Sequence, residues 1–139
     1  MPLPGFSSLC EDYQKNVVSR DYGTKRKHTA INPNGASFVT QYNIDGVVIR
    51  TGKRCDFLVM NEDKKDAYLI ELKGSDVEKA AEQLVETAKT LSEQLKSYNK
   101  YYRIVCTRCR THAINSTKYK KLTAGKDFKR AENEMTENI

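Results

Sequence analysis

The sequence predicts an α/β domain built on a central mixed sheet of four strands flanked by helices, in the order α-β-β-β-α-β. Three observations predict it. Two apolar runs, residues 55–60 and 67–73, flank a polar stretch at 61–66, which is the pattern of a β-hairpin. A long apolar stripe at helical spacing follows, through Val77, Ala80, Ala81, Leu84, Ala88, Leu91, Leu95 and Tyr98. A short run with Ile104 and Val105 comes after that helix. A strand–helix–strand unit of this length implies a right-handed crossover and parallel pairing.

The remaining elements take their places around these. Residues 8–20 predict a first helix: Ser8 with Glu11 three residues on forms a capping box, and Leu9, Tyr13 and Val17 give a stripe. Residues 21–35 hold the breakers Tyr22-Gly23, Asn32-Pro33 and Asn34-Gly35, and read as a loop. Residues 36–44 and 47–49 read as strand, with Asp45-Gly46 as a tight turn between them. The run at 67–73 is apolar on both faces apart from Glu71 and Lys73, so it belongs in the middle of a sheet. Ser75 to Glu78 form a second capping box, from which the long helix runs to about Tyr98. Residues 113–122 predict another helix. Residues 127–137 leave two readings open, a terminal helix or a disordered tail. The whole is a single domain, with a core at about 8–109 and a basic extension at about 110–139.

Charged residues make up 30% of the 139-residue chain and the formal net charge is +6. That balance favours an acidic partner, nucleic acid first, against the plainer reading of simple solubility. No apolar run approaches the roughly 18 residues of a membrane span. Residues 1–10 lack the basic start and apolar stretch of a signal peptide, so a cytoplasmic location is expected. The four cysteines, Cys10, Cys55, Cys106 and Cys109, are then expected to be free thiols. Cys106-x-x-Cys109 has zinc-like spacing, but no second close pair completes a four-ligand site.

The hairpin carries the chemistry. Folded symmetrically, it pairs Met60 with Ala67 and sets Asp56 opposite Glu71. Facing side chains on an antiparallel pair lie roughly 4.5–5.5 Å apart at Cβ, and like charges there repel. Lys73, two residues from Glu71, shares its face. A divalent cation removes the cost of the facing carboxylates, because such ions take carboxylate oxygens.

Asp56 at the start of one strand, followed by Glu71-Leu72-Lys73 near the end of the next, resembles the PD-(D/E)XK nuclease superfamily. Cys55 stands where that family often has Pro. With the order of elements, the resemblance spans about residues 8–106 and implies a restriction-endonuclease-like core. It further implies a Mg²⁺ or Mn²⁺ ion held by Asp56, Glu71 and the Leu72 carbonyl, and hydrolysis of phosphodiesters, DNA above all. Lys73 would orient the attacking water, stabilise charge on the phosphate or act as a base, and these roles stay open. Gln83 is expected near the site, ahead of Gln94 in the Gln94-x-x-x-Tyr98 pattern. Glu11 matches an extra acidic ligand of several relatives, or is only a helix cap.

Phosphate contacts are expected from the segment Arg103 to Arg130, which holds nine Lys or Arg against one acid, Asp127. Arg108, Arg110, Lys118, Lys120 and Lys121 lead that group. Lys25, Arg26 and Lys27 form a second basic patch, with His28 read as a surface loop residue. Cutting both strands would need two sites, as in a homodimer. The rival readings are a nucleic-acid-binding module with a dead site, and a nuclease subunit active only within a larger assembly.

Overall fold

Eight strands and three helices make up the computed structural model, which describes residues 3–139. Met1 and Pro2, part of the stretch read above for a signal peptide, lie outside the described residues. In chain order the elements are β1 (Asn16–Arg20), β2 (Lys27–Ile31), β3 (Val39–Asn43), β4 (Phe57–Asn61), β5 (Asp66–Lys73), α1 (Val77–Thr90), β6 (Asn99–Cys106), α2 (Thr111–Ile114), α3 (Thr117–Thr123), β7 (Asp127–Glu132) and β8 (Glu134–Asn138). The α/β class is as expected, but the central sheet has five strands rather than four, in the order β3-β4-β5-β6-β7. β3, β4 and β5 are antiparallel, and β5, β6 and β7 are parallel. A second sheet, β1-β2-β8, lies apart from it.

The hairpin takes the symmetric register, Met60 opposite Ala67 and Phe57 opposite Ile70. Its turn is closed by Asn61, whose Oδ1 accepts the Lys64 N–H at 3.1 Å, and by Lys65 in the left-handed region. Alternation along these strands divides the core. Leu58, Met60, Ala67, Leu69 and Ile104 face α1. Val59, Ile70, Leu72 and Val105 face the small sheet and meet its Val17, Ala30 and Ile139. The result is three layers: helices, main sheet, small sheet. β5 is buried from Ala67 to Leu72, as its apolarity on both faces requires.

The first predicted helix does not form. β1 occupies its second half, because Val17 and Val18 are β-branched and alternate buried and exposed. Leu9 and Tyr13, two members of the supposed stripe, are 59% and 60% exposed. Ser8 caps nothing helical; its Oγ accepts the Gln41 N–H at 3.0 Å. Residues 8–12 run instead along β3, with Leu9 N–H on Gln41 O at 2.7 Å and Val39 N–H on Asp12 O at 2.7 Å. They cover what would otherwise be an open edge of the main sheet.

Three other departures share one cause, spacing that more than one backbone path satisfies. α1 starts one residue later than the Ser75 cap implies, since Asp76 accepts the Lys79 N–H at 3.0 Å. It also stops at Thr90, and successive turns carry the same stripe onward, so Leu91, Leu95 and Tyr98 stay buried without a helix. Residues 47–49 form a turn with a single bridge, Asp45 to Ile49, rather than strand. The helix predicted over 113–122 is broken at Ser116, which caps α3 by accepting the Tyr119 N–H at 3.0 Å.

Residues 127–137 form neither a helix nor a tail. β7 adds the fifth strand, with Phe128 stacked on Tyr102 at 4.7 Å between ring centres. Asn133 takes a left-handed turn, and β8 then joins β2 in the small sheet. There Glu137 joins two buried side chains. It shares a 2.7 Å hydrogen bond with His28 Nε2 and accepts from Arg103 Nε at 2.8 Å. His28 is therefore a buried strand residue, not a surface loop one. Burial would raise the Glu137 carboxyl, but the hydrogen bonds from His28 and Arg103 outweigh it and hold it below the usual range. Arg103→Met should cost about 3 kcal/mol, because one partner of a buried charge cluster is removed. A fall in melting temperature would show it. A carboxyl held low contributes stability above its unfolded pKa. The parent should therefore lose this contribution as pH falls below about 4, and the variant should not.

Cys106 and Cys109 are joined by a disulfide, against the expectation of free thiols. The turn through Thr107 and Arg108 brings their Cα atoms to 5.9 Å, within bonding range. Cys10 and Cys55 are free. Among the described residues no helix is long and apolar enough to cross a membrane.

Candidate active site

Asp56 lies one step beyond Phe57–Ile70, the last pair of the hairpin register, at the end of the sheet where Glu71 leads β5 into Lys73. Its N–H donates at 3.1 Å to the carbonyl of Ile70, the partner of Phe57, so the ladder is offset by one residue here and the symmetric register expected at Asp56 and Glu71 is not continued. Its Oδ2 accepts the Leu72 N–H at 2.9 Å, so β5's own backbone fixes the carboxylate. Glu71 is almost fully buried, and its Oε1 has no hydrogen-bond partner among the described residues. Burial pushes the Glu71 carboxyl up to about 9, Asp56 adds to the rise, and Lys73 opposes it. Asp56 is raised too, mainly by burial, against the Leu72 hydrogen bond. Two carboxylates that resist ionisation side by side, one with an orphaned oxygen, form a site short of positive charge.

Lys73 supplies part of that charge. Its Nζ stands 3.9 Å from Glu71 Oε2, with its side chain a quarter exposed. The backbone after it is pinned by the start of the next loop: Thr107 N–H donates to Lys73 O at 3.2 Å and to Gly74 O at 2.9 Å. Gln83, on α1, donates from Nε2 to Arg54 O at 3.1 Å, two residues before Asp56. Its Oε1 is buried and unpartnered. Gln94 is exposed in the turns beyond α1, so Gln83 is the glutamine beside the site. Leu72 packs its side chain into the small-sheet core and borders the cleft.

Glu11 is not brought to this cluster. It sits exposed in the irregular N-terminal segment, where its N–H donates to Gln14 Oε1 at 3.0 Å. Among the described residues no three His, Cys, Asp or Glu side chains converge to cage a metal. The donor set is thus two carboxylates and a strand-end backbone. That suits an ion such as Mg²⁺, which keeps several waters and takes one or two carboxylates.

Asp56 and Leu72 line a cleft of ≈ 490 Å³, bordered also by Arg20, Tyr22, Asp45 and Phe57; Glu71 and Lys73 are not among its lining residues. Two acids at its rim are already neutralised. Asp21 pairs with Arg26 at 2.5 Å and Asp45 with Arg54 at 2.6 Å. Arg20 forms no ion pair among the described residues. The sequence reading misses it, because it assigns residue 20 to a helix end; alternation through Val17, Val18 and Ser19 was the available signal.

The expected nucleic-acid residues divide. Arg26 is spent on Asp21 and on Thr107 Oγ1 at 2.6 Å, tying the β1–β2 turn to the end of β6. Lys27 pairs with Glu134 at 3.8 Å, and Lys118 with Glu82. Arg103 is buried. Tyr119, set among the lysines in sequence, belongs to the core. Lys25, Arg108, Arg110, Lys120 and Lys121 are exposed and form no ion pair among the described residues. Changing Lys120 and Lys121 together to Gln should therefore weaken nucleic-acid binding. It should also flatten the salt dependence by up to about two units of slope, read by fluorescence anisotropy over a salt series. An unchanged slope would remove α3 from the interface.

Comparison of the chain with protein-family models, curated proteins and solved structures finds no match to any of them.

Proposed function

We propose that the protein is a Mg²⁺- or Mn²⁺-dependent nuclease of the PD-(D/E)XK type that hydrolyses phosphodiester bonds in nucleic acid, DNA foremost. One observation carries the reading: Asp56, its carboxylate held by the Leu72 N–H at the edge of a cleft, and the buried, half-unpartnered Glu71 with Lys73 beside it gather at one end of the hairpin. The three antiparallel strands, crossover helix and parallel strand that hold it fit a restriction-endonuclease-like core in which a small sheet replaces the first helix. Asp56, Glu71 and the Leu72 carbonyl would hold the ion. When bound, it supplies Lewis-acid activation of a phosphodiester and of water.

The protein's own groups do the rest. Leu72 N–H keeps one Asp56 oxygen in place and leaves the other for a cation. Lys73, close to Glu71 yet reached by solvent, can fix a water or the charge that builds on phosphate oxygens. Gln83 has a free carbonyl oxygen with which to accept from a water. Arg20 and the unpaired lysines give phosphate its counter-charge.

Purified protein should cleave plasmid or oligonucleotide DNA with Mg²⁺ or Mn²⁺ and stop in EDTA. Metal-independent activity, or none on any DNA or RNA form, would sink the proposal. A second reading, a nucleic-acid-binding subunit, draws on the missing third acid. It predicts binding without cleavage until a partner is added.

A further inference from the structure

The cleft at Asp56 does not end there. It continues as a trough along the edge of β1, lined by Leu9, Val18, Arg20, Tyr22 and Phe57. Tyr22 is 86% exposed, Leu9 59% and Val18 40%. These are among the most exposed large apolar side chains described, and they gather on one side of the site. On the other side of Arg20 lies a shallow hollow with Lys25, and with Lys27 paired to Glu134. Arg20 borders all three regions, and no carboxylate among the described residues claims it.

An apolar wall and an unpaired guanidinium side by side match a particular ligand chemistry. A duplex offers a protein phosphates and groove edges while its base faces stay stacked inside, so exposed Tyr22, Leu9 and Val18 would gain little from it. An unpaired strand offers both: a charged backbone for Arg20 and Lys25, and base faces for an aromatic ring and aliphatic neighbours. We infer that this trough receives an unpaired nucleic-acid strand, a base stacking on Tyr22 and the adjoining phosphate on Arg20, as it leads into the Asp56 cleft. The inference rests on the proposed nuclease reading only for which phosphate reacts. The binding itself does not depend on cleavage.

The test is therefore run in EDTA. A fluorescently labelled 12-nucleotide strand and the matching 12-base-pair duplex are titrated with the protein, as DNA and as RNA of the same sequence. The single strand, in either sugar, should bind about tenfold or more tightly than the duplex. Tyr22→Ala should weaken single-strand binding about five- to a hundredfold with the salt slope kept, while Tyr22→Phe restores it. Arg20→Ala should weaken it and lower the salt slope by about one unit. Both side chains are exposed, so melting temperatures should match the parent and rule out misfolding. Equal or tighter duplex binding, single-strand affinity unmoved by Tyr22→Ala, or no binding at all would each overturn the inference. Strand preference without metal-dependent cleavage would keep the trough and discard the nuclease reading.

Discussion

Lys73→Ala should lose about 10²–10³ in cleavage rate while keeping the fold and the metal. The geometry separates these properties. Lys73 is no candidate ligand: its Nζ stands 3.9 Å from Glu71 Oε2, and its side chain is a quarter exposed. Its removal takes away a charge aimed at water and phosphate, which matters most when negative charge builds in the transition state. The fold has little to lose, because the ladder bonds of β5 to β4 and β6 are made by backbone. The ionised form of Glu71 does lose a neighbour, so metal-free Lys73→Ala should be slightly less stable at high pH. Cleavage rate, Mn²⁺ affinity and melting temperature are measured on one preparation. A variant cutting at near the parent rate would reduce Glu71-Leu72-Lys73 to a charged strand. A variant that no longer binds Mn²⁺ would move Lys73 from catalysis to site assembly.

The parts legible in the sequence are those where one physical signal decided the outcome. The hairpin register from Phe57–Ile70 to Asn61–Asp66 followed from two apolar runs and a polar turn, while the offset at Asp56 had no local signal. The start of α1 was readable within a residue from Ser75-Asp76. The first helix was misread because Leu9, Tyr13 and Val17 satisfy helical spacing by coincidence, while only Val17 is buried. Glu11 fell with it, having been placed by that helix. The C-terminal segment was unreadable for a different reason. β7 and β8 are held by long-range partners, Tyr102, His28, Arg103 and the strand β2, none of them local in sequence. The same distance hides which cations are free. Lys118 and Arg103 look like free cations in composition, yet each is claimed by an acid brought to it by folding, whereas Arg26 is claimed by Asp21 within its own turn.

That partition bears on how nucleic acid would meet the protein. With Arg103 buried and Lys118 paired, the basic C-terminal third offers Arg108, Arg110, Lys120 and Lys121, near the helix layer. Arg20 and Lys25 lie at the small sheet. Asp56 opens on the cleft that Arg20 also borders, so a strand entering it meets that cation. The sign of the net charge alone could not show this arrangement.

Asp56→Ala should abolish Mn²⁺ binding, and Glu71→Gln should do so while making the metal-free protein more stable. Both follow from the same shortage of positive charge. In the parent, an ion that binds only the folded state adds about 2.7 kcal/mol at a hundred times its Kd. Calorimetry should show binding, and melting temperature should rise with Mn²⁺. Without metal, Glu71 is a buried acid whose carboxyl stands at about 9, against 4.5 for the ordinary group. A raised folded value means the native state holds its proton where the unfolded chain has released it. Stability from this group is therefore complete below about pH 4.5 and is lost as pH rises toward 9. Gln at this position stays neutral throughout and can donate an amide hydrogen toward Asp56. At pH 8 in EDTA, Glu71→Gln should exceed the parent by about 1–3 kcal/mol, and the gap should close near pH 4.5. With saturating Mn²⁺ the order should reverse, since only the parent gains the ion. If Mn²⁺ stabilises Glu71→Gln as much as the parent, the ion binds elsewhere. If the parent is the more stable in EDTA at pH 8, Lys73 alone compensates Glu71 and the two carboxylates do not form a metal site.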